Sequence, residues 1–574
     1  MNETASWHDN YDVVVVGSGT GLMGAITAAR RGLRALVVEK GAYFGGSTAM
    51  SGGGMWMPNN KVLQNAGVQD TKERVLTYLD TLVGDTAPRA RREAFVEHAP
   101  EVVDELLAAT PLKLGHMTEY ADYFADLEGG SAIGRSVESK PFNINTLGAE
   151  GVARIRTSGA IAAPVPMPIT SKDFRLMNLM ARRPLQAFPT IFKRVLQGVG
   201  GKLLKKEMAA GGRALGAGLI AGARRAGVDI WLNSPLKELV VEDGRVTGVV
   251  VEKDGERIRV AAKGGVILAI GGFDHAGEKR RKYQSQALTE DWSFGNPDNT
   301  GDLFAIAEQV GAGLDLLDQA WWFPSISPLT PGADPIFMLS ERSLPGSMIV
   351  DSTGHRFFNE ATDYMTAGRA MLGLDDGKGD HLPIWLIFDQ KHRNRYLFAG
   401  SVMPGMPMPK IFYESGVVVK AKSIAELSRK IGVPGLVDGA AHFNVLASQG
   451  QDDDFKRGLG HYDRYYGDPT NTPNPNLGTI TKAPFYAVKT VPADLGTCGG
   501  ITADEWGRAL HEDGSPIDGL YAVGNAAANA FGKFYPGPGA TLGQGLVFAY
   551  LAAKHAGERA RSLERARPGA GSEA

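Results

Sequence analysis

Cysteine is almost absent from this sequence, which has one, Cys498, among 574 residues. A single thiol excludes disulfides within the chain and metal sites built from several cysteines, so we expect no bound metal. Cys498 lies in the short Gly-Thr-Cys-Gly-Gly segment at 496–500. Its two candidate roles are a reactive thiol beside a cofactor and a small packing residue in a tight turn, and we favour packing.

Long apolar runs and a strong net charge are also missing. No apolar stretch approaches the roughly 20 residues that a membrane-spanning helix needs, and residues 1–11 are polar and lack the core of a signal peptide. The formal net charge is −2, without the basic excess typical of nucleic-acid binding. We therefore expect a cytoplasmic globular protein with no nucleic-acid partner and with enough chain for two domains.

The N-terminal segment has the pattern of a βαβ unit. An apolar run at 12–16 predicts a strand buried on both faces, and the glycine-rich residues 17–21 separate it from a helical stretch at 22–31. A second strand pattern at 33–38 ends at Glu39. In such units the glycines let a pyrophosphate reach the helix N-terminus, and the terminal acid binds ribose hydroxyls. The pattern therefore predicts dinucleotide binding.

The glycine fingerprint departs from its usual form at one position. Gly17 and Gly19 occupy the first two glycine positions of G-x-G-x-x-G, but Leu22 stands where the third glycine is expected. We expect the flanking Gly21 and Gly24 to provide the close helix–strand packing instead. Without a cofactor, the same segment would be an ordinary buried βαβ unit.

Three further glycine-rich segments favour FAD over NAD. Residues 45–54 form a long Gly/Ser segment whose backbone donors are free to face a bulky cofactor. Residues 519–525 read as a strand that ends in Gly-Asn, and 541–545 open an apolar helix that runs to about residue 556. The positive end of that helix would face negative charge on a reduced flavin ring. No histidine or cysteine lies in the N-terminal glycine segments, which predicts non-covalent binding.

The segment Phe-Tyr-Pro-Gly-Pro-Gly at 534–539 precedes that helix and is the most informative part of the chain. Its prolines fix φ, and its glycines allow a ligand to approach the backbone closely. Tyr535 provides a phenol hydroxyl, and Gly539 provides a backbone N–H. Such a pair can hold a carbonyl oxygen and stabilise negative charge that develops on it.

These segments resemble the flavoprotein superfamily of fumarate reductase and succinate dehydrogenase, and most closely its 3-ketosteroid Δ1-dehydrogenase branch. The resemblance covers almost the whole chain except about 150–210, which has no obvious counterpart in the shorter members. The glycine unit, Asn-Thr-Gly-Asp at 299–302 and Arg-Phe-Phe-Asn-Glu at 356–360 are common to the superfamily. Tyr-Pro-Gly-Pro-Gly and Tyr364, which follows the Phe-Phe-Asn-Glu segment, are specific to the steroid branch.

The resemblance implies an α/β fold, with a discontinuous Rossmann-like FAD-binding domain and an inserted α+β catalytic domain. From the positions of the cofactor segments, we place the FAD-binding domain at 1–280 and 455–574 and the catalytic domain at 281–454. Non-covalent FAD would lie along residues carried over from the family motifs: Gly17, Gly19, Gly21, Glu39, Lys40, Gly46, Ser47, Thr48, Ser51, Gly52, Gly53, Gly271, Asp302, Gly524, Asn525, Thr541 and Leu542.

The resemblance also implies the substrate and the catalytic residues. A 3-ketosteroid would lose a proton from C2 and a hydride from C1, and FAD N5 would accept the hydride. Tyr535 and the Gly539 N–H match the family pair that binds the C3 carbonyl, and Tyr364 matches the tyrosine that takes the C2 proton. An unperturbed tyrosine pKa of about 10 makes ionisation at pH 7 cost about 4 kcal/mol, so the base needs a second hydroxyl as donor. Tyr123 is our choice for this donor, with Tyr120 as the alternative.

Three alternative functions compete with this one. A fumarate-reductase-like flavoprotein, acting on a dicarboxylate or another enone, needs a histidine pair where residues 495–500 read Leu-Gly-Thr-Cys-Gly-Gly. Arg356 and Arg369 flank the expected site, but Arg356 belongs to a turn shared by the superfamily, which favours a structural role. A 3-ketosteroid Δ4-(5α)-dehydrogenase lacks the Tyr-Pro-Gly-Pro-Gly donors. A flavoprotein that carries electrons or binds steroid without turnover would not need the three tyrosines.

The region at about 150–210 contains an amphipathic segment. Its apolar residues recur at helical spacing and form one stripe: Phe188, Ile191, Phe192, Val195, Leu196, Val199 and Leu203. Residues 172–207 contain nine Lys/Arg against two Asp/Glu. A basic amphipathic helix suits peripheral contact with the inner face of the cytoplasmic membrane, in which both steroid and a quinone electron acceptor would be dissolved. An oligomer contact and ordinary packing are the alternatives, and Pro184 and Pro189 are expected to break the helix.

Overall fold

The computed structural model describes residues 7–157, 167–288, 292–375, 377 and 379–565. Within these ranges the chain forms one large sheet that is mainly parallel and a second that is antiparallel. The α-helices are Gly21–Arg30, Gly46–Met50, Lys61–Asn65, Lys72–Val83, Arg89–Ala109, Gly148–Ala153, Ser171–Asn178, Pro184–Val195, Gly201–Leu203, Gly211–Arg225, Gly277–Tyr283, Asp302–Val310, Tyr364–Met371, Gln390–Arg395, Lys410–Glu414, Ile424–Ile431, Leu436–Gln449, His461–Tyr465 and Ala540–Arg565.

The mainly parallel sheet has the predicted βαβ unit at its centre. Asp9–Val16 lies between Ala35–Val38 and Glu256–Leu268 and runs parallel to both. Val13 and Val15 face one hydrophobic core while Val14 and Val16 face another, as expected for a strand buried on both faces. The remaining strands come from both halves of the chain, so the predicted α/β fold with a discontinuous first domain is confirmed: Asp229–Trp231, Leu236–Glu242, Arg245–Lys253, Arg508–Leu510 and Pro516–Ala522.

The antiparallel sheet belongs to the inserted domain, and Phe485–Thr497 is its central strand. From the positions of the cofactor segments we predicted that the inserted domain ends at residue 454, but this strand lies beyond that residue. We propose instead that the inserted domain extends to Thr497, because a sheet is not divided between domains at its central strand. The other strands are Ala320–Ile326, Ile336–Phe337, Ser347–Val350, Ile384–Asp389 and Val418–Ala421.

Three small sheets complete the fold. In one of them, Ser136–Ser139 lies between Gly54–Trp56 and Leu114–His116, and Ser136 pairs with Trp56. Two two-stranded ribbons join Leu314–Asp315 to Gly500–Ile501 and Phe142–Asn143 to Met208–Ala209.

A buried ion network closes one end of the three-stranded sheet. Arg135 is fully buried and pairs with Asp122 and with Asp70, whose Oδ2 accepts from Arg135 Nε at 2.6 Å. Asp122 also accepts hydrogen bonds from Trp56 Nε1 at 2.8 Å and from the Ser131 N–H at 3.1 Å. These charged groups have almost no access to water, so each of them depends on its partners.

The described part of the 150–210 region folds into surface helices, and residues 158–166 lie outside the described residues. We expected Pro184 and Pro189 to break the amphipathic segment. Pro184 does stand at a break, between the helices Ser171–Asn178 and Pro184–Val195, but the expectation was wrong for Pro189. Pro184 is the first residue of the helix, where no backbone N–H is needed, and Pro189 is accommodated inside it. The elements are Ser171–Asn178, Pro184–Val195, a π-helical turn at Leu196–Gly200 and Gly201–Leu203.

The apolar stripe of this region is turned toward solvent. Phe188 and Phe192 are 59% and 65% exposed, and Leu203 is 81% exposed. Leu185 and Leu204, which were not part of the predicted stripe, extend the exposed surface. No helix in the described ranges has the length and apolarity of a segment that crosses a bilayer.

Replacing Arg135 by leucine should destabilise the protein strongly, because Asp122 would stay buried without a counter-ion. We expect the free energy of unfolding to fall by about 3–5 kcal/mol, measured by chemical denaturation of the holoprotein. The control is Arg257→Leu, since the Arg257 side chain is 69% exposed and its ion pair with Glu238 lies at the surface. Equal denaturation midpoints for the two variants would show that the network contributes no more than a surface pair.

Candidate active site

A deep cleft opens where the parallel strands end, between the two large sheets. Strands ending at Val16, Val38, Leu268 and Ala522 each place the next residue of the chain in its wall. Ligands of open α/β sheets bind at this edge. The predicted cofactor residues that line the cleft are Gly17, Gly19, Glu39, Lys40, Gly46, Ser47, Thr48, Ser51, Gly52, Gly53, Gly271, Asp302, Gly524, Asn525, Thr541 and Leu542.

Gly21 is the predicted cofactor residue that does not line the cleft. A Cβ atom at this position would lie 2.6 Å from Cβ of Ala269 and 2.9 Å from Cγ1 of Val15. Gly21 therefore lets the helix Gly21–Arg30 pack closely on the sheet. In the G-x-G-x-x-G pattern this role belongs to the third glycine, whose position Leu22 occupies here. The packing role expected for Gly21 from the sequence is confirmed, and its cofactor contact stays a prediction.

The N-terminal part of the cleft fits a dinucleotide. Gly17 has a φ of +104°, and a Cβ atom there would lie 2.2 Å from the Ala269 oxygen, so only glycine is accommodated. The helix Gly21–Arg30 has no side-chain cap and no acidic residue in its first turn, so no side chain competes with a pyrophosphate for its N-terminus. A Cβ atom on Gly52 would meet no protein atom within 4 Å, so the backbone at Gly52 faces open space.

The carboxylate of Glu39 is held in place by the protein itself. Its Oε2 accepts from the Ser18 N–H at 3.0 Å and the Ser18 hydroxyl at 2.6 Å, and Oε1 accepts from the Gly41 N–H at 2.9 Å. Ser18 was not predicted, because it occupies the variable position of G-x-G. The adjacent Lys40 pairs with Asp302 at 2.9 Å, so these two predicted residues lie side by side.

A polar network beside the cleft was also missed from the sequence. The Ser47 hydroxyl accepts from the Asn296 N–H at 2.9 Å and from Asn299 Nδ2 at 3.2 Å, and Asn299 also donates to Asp274. Burial and the neighbouring Asp494 carboxylate raise the pKa of Asp274 to about 6. Asn299 belongs to the Asn-Thr-Gly-Asp segment, but Asn296 carries no motif that would mark it.

Three predicted tyrosines meet at the other end of the cleft. The ring centroids of Tyr123 and Tyr364 are 5.2 Å apart, and both rings lie 5.3 Å from the ring of Tyr535. Tyr364 is the first residue of the helix Tyr364–Met371, and the side chain of Asp363 caps that helix. All three rings are buried and come from segments far apart in the chain.

Burial makes these phenols weak acids. It raises the pKa of Tyr364 and of Tyr123 well above the ordinary value, and it raises the pKa of Tyr535 to about 12. The Tyr123 hydroxyl opposes the rise in the pKa of Tyr364, since it can donate to the phenolate. Within the described residues the Tyr123 hydroxyl has no hydrogen-bond partner at close range, whereas the Tyr120 hydroxyl is 2.7 Å from that of Tyr466. This arrangement favours Tyr123 over Tyr120 as the partner of Tyr364.

Gly539 brings a backbone donor to the same place. Its φ is +86°, and a Cβ atom there would lie 2.0 Å from the Gly54 oxygen, so the neighbouring strand excludes any side chain. The N–H groups of Thr541 and Gly539 oppose the effect of burial on the pKa of Tyr535, which indicates that they face its hydroxyl. A ligand oxygen held between Tyr535 and Gly539 would accept two hydrogen bonds.

Three other residues considered from the sequence lie outside the cleft. Arg356 pairs with Glu360 at 2.7 Å and with a second buried carboxylate, which gives it a structural role. Arg369 pairs with Asp375. Cys498 is buried, and burial raises the pKa of its thiol well above the ordinary value, which supports the packing role.

The tyrosine end of the cleft is otherwise mostly apolar. The described lining residues include no arginine or histidine, and both lysines are paired, Lys40 with Asp302 and Lys237 with Glu252. The cleft therefore offers no free cation to a carboxylate, but it suits an apolar ring system with one carbonyl. The apolar lining includes Met117, Ile169, Phe174, Phe323, Leu339 and Leu495.

Similarity to known proteins extends over nearly the whole chain. The profile of the FAD binding domain family matches residues 12–542. The chain is 46% identical to a 3-oxosteroid 1-dehydrogenase of Mycolicibacterium smegmatis, over 95% of this chain and 96% of the relative. It is 36% identical to a 4-oxocyclohex-2-ene-1-carboxylate 5-dehydrogenase of Sinomonas cyclohexanicum, over 97% and 95%. The crystal structure of 3-ketosteroid Δ1-dehydrogenase from Sterolibacterium denitrificans, in complex with 1,4-androstadiene-3,17-dione, has a TM-score of 0.88 and 35% identity over 96% of this chain and 100% of that chain.

These similarities extend over the FAD-binding segments and over the inserted domain that carries Tyr364. The predicted FAD cofactor and the predicted family are confirmed by them. The chain belongs to the 3-ketosteroid Δ1-dehydrogenase family of FAD-binding flavoproteins.

Proposed function

We propose that this protein is an FAD-dependent 3-ketosteroid Δ1-dehydrogenase, which introduces a double bond between C1 and C2 of steroid ring A during steroid degradation. The observation that carries the proposal is the cluster of Tyr123, Tyr364 and Tyr535 beside Gly539, in an apolar and buried end of the cleft. Ring A of a 3-ketosteroid presents one carbonyl to such a site. When bound, FAD supplies the acceptor for the C1 hydride.

Two donors activate the substrate carbonyl in this proposal. The C2 proton becomes acidic because C2 is adjacent to the C3 carbonyl, whose oxygen gains negative charge as the proton leaves. Tyr535 and the Gly539 N–H would hold that oxygen. Their bonds are strengthened by burial, because no bulk water competes for the oxygen. Losing one donor of this kind raises the barrier by about 3–4 kcal/mol.

Tyr364 is the proposed base that takes the C2 proton. Burial raises its pKa, so its ionisation at pH 7 costs more than the roughly 4 kcal/mol of an unperturbed phenol. A hydrogen bond from Tyr123 to the phenolate offsets part of that cost. Tyr123 is available for this bond because its hydroxyl has no other close partner among the described residues.

The charge distribution argues against carboxylate substrates. A buried carboxylate needs a paired cation, whether it belongs to a dicarboxylate or to a 4-oxocyclohexanecarboxylate. Lys40 and Lys237, the lysines among the described lining residues, already have carboxylate partners. Arg356 and Arg369 are held outside the cleft by partners of their own.

Anaerobic reduction of the bound flavin tests the reaction directly. Androst-4-ene-3,17-dione should bleach the flavin absorbance of the holoenzyme, and mass spectrometry should find a product that has lost two hydrogens at C1–C2. A 4-ene product from a 5α-saturated 3-ketosteroid, without Δ1 product, would identify a Δ4-(5α)-dehydrogenase instead. Bleaching by 4-oxocyclohexanecarboxylate alone would identify a carboxylate substrate, and no bleaching by any of the three would reject a ketone dehydrogenase.

Changing Tyr364 to phenylalanine should lower kcat/KM by about 10²–10⁴-fold, because a general base is lost. Since burial raises the pKa of Tyr364, the phenolate fraction and with it wild-type kcat/KM should increase from neutral to alkaline pH. The Tyr364→Phe variant should lose this rise. Tyr43→Phe, at a tyrosine that is 47% exposed, is the control and should keep both the rate and the pH profile. A variant at position 364 that keeps the alkaline rise would assign the base to another group.

We also propose that the surface helices of the 150–210 region contact an anionic membrane. The exposed Phe188, Phe192 and Leu203 form its apolar face. The preceding helix, Ser171–Asn178, lines the cleft through Phe174, so this contact would bring the cleft close to dissolved steroid and to a quinone acceptor. Five lysines of the same region take part in no ion pair within the described chain: Lys172, Lys193, Lys202, Lys205 and Lys206.

Flotation with lipid vesicles tests the membrane contact. The holoenzyme should float with phosphatidylglycerol vesicles, and the double variant Phe188→Ser/Phe192→Ser should not. Val445→Ser/Leu459→Ser is the control, because these residues are also more than half exposed but lie elsewhere on the surface. A wild-type protein that stays unbound at low ionic strength would reject the contact, and a dimer that only the phenylalanine variant disrupts would favour an oligomer interface.

A further inference from the structure

We propose that Ser136 positions the Gly539 N–H by holding the opposite side of the same peptide group. The Pro538 carbonyl and the Gly539 N–H belong to one trans peptide, in which the two groups point in opposite directions. The Ser136 hydroxyl donates to the Pro538 oxygen at 2.7 Å, so this bond turns the N–H toward the cleft. The inference rests on the proposed function and assigns a role to the Ser of the Gly-Arg-Ser segment at 134–136.

The direction of the Gly539 N–H agrees with this assignment. Within the described chain it donates to no backbone carbonyl. The Gly539 N–H is directed instead at the Tyr535 hydroxyl, where it lowers the pKa of that phenol against the effect of burial. The donor is therefore free and faces the hydroxyl group that would share the substrate oxygen with it.

Ser136 stands on a rigid support. It begins the middle strand of the three-stranded sheet, pairs with Trp56, and accepts a hydrogen bond from the Met117 N–H at 2.9 Å. The neighbouring Arg135 is anchored by two carboxylates, and Ser136 itself is fully buried. Such a residue can restrain the peptide of Gly539, which has more rotational freedom than other residues because it lacks a Cβ atom.

The other hydrogen bonds to this turn act on different peptide groups. The Trp56 N–H donates to the Gly539 oxygen at 3.2 Å, which belongs to the next peptide. The Tyr78 hydroxyl and the Tyr123 N–H donate to the Pro536 oxygen at 2.6 and 3.1 Å. Loss of the Ser136 hydroxyl would leave the buried Pro538 carbonyl without its donor, so rotation of the peptide would become favourable.

The expected kinetic effect of Ser136→Ala lies in kcat. Removing an oxyanion donor outright lowers kcat by about 10²–10³-fold, so misplacing one should lower it by roughly 10–100-fold. KM should change by less than about 3-fold, because the apolar contacts to the steroid are untouched. Ser139→Ala is the matched control: Ser139 is buried on the same strand, but its hydroxyl donates to the Lys140 oxygen, outside the cleft.

Raman spectroscopy of bound 1,4-androstadiene-3,17-dione separates positioning from general destabilisation. In the wild type and in Ser139→Ala, the C3 carbonyl stretch should lie below its frequency in water, because two donors polarise the bond. In Ser136→Ala the C3 carbonyl frequency should move back toward its value in water. In Ser136→Cys, where the thiol is a weak donor of similar shape, the frequency should lie between those of the wild type and Ser136→Ala. The cysteine variant keeps the test possible if the alanine variant is unstable.

Two results would overturn the inference in different ways. Ser136→Ala and Ser136→Cys with the kcat and carbonyl frequency of Ser139→Ala would show that Ser136 does not position the donor, while the proposed function stands. A wild-type enzyme that oxidises the steroid but leaves the carbonyl frequency unchanged would remove the donor pair and with it the inference, whereas one that does not oxidise the steroid would remove the proposed function.

Discussion

The tyrosine site depends on the buried ion network of Arg135 with Asp122 and Asp70. Each of its two central members is adjacent in sequence to a group at the site: Asp122 precedes Tyr123, and Arg135 precedes Ser136. Because Asp122 also accepts from Trp56, the network links the strand beside the Tyr-Pro-Gly-Pro-Gly turn to the loop that carries Tyr123. Charges that are removed from water must keep their partners, and this requirement holds the loop that carries Tyr123 against the strands that carry Trp56 and Ser136.

Burial has two opposing effects at this site. It strengthens the hydrogen bonds that Tyr535 and Gly539 would make to a carbonyl oxygen, since water is excluded. It also raises the pKa of Tyr364, which makes the proposed base harder to ionise. The partial compensation comes from the neighbouring Tyr123 hydroxyl. A cluster of phenols can exclude water and still provide hydrogen-bond donors, because each ring contributes apolar surface to the substrate and one hydroxyl to the hydrogen-bonded network.

With the domain boundary that we propose, ion pairs connect the surface helices of the 150–210 region to both domains. Arg175 pairs with Glu119 at 2.7 Å on the side of the first domain, and Arg182 pairs with Asp468 at 2.9 Å, where the Tyr396 hydroxyl also donates. These anchors hold the region across the edge of the cleft while its apolar face stays exposed. Phe174 of this region lies in the cleft wall, so the position of the region as well as its composition supports the proposed membrane contact.

The amino-acid sequence by itself determined the βαβ unit, the FAD-binding segments and the residue types at the tyrosine site, because these depend on local patterns and on motifs that resemble a known family. It did not show that Pro189 is tolerated inside a helix or that Phe485–Thr497 is the central strand of the antiparallel sheet. Ser18, Asn296 and Ser136 were missed as well, since a serine or asparagine carries no signal until its partner is known. Only the tertiary structure shows that the Tyr120 hydroxyl is paired with that of Tyr466, which supports Tyr123, the choice made from the sequence. Hydrogen-bond partners far apart in the chain, and the burial that shifts a pKa, arise when the two sheets and the loops between them pack together.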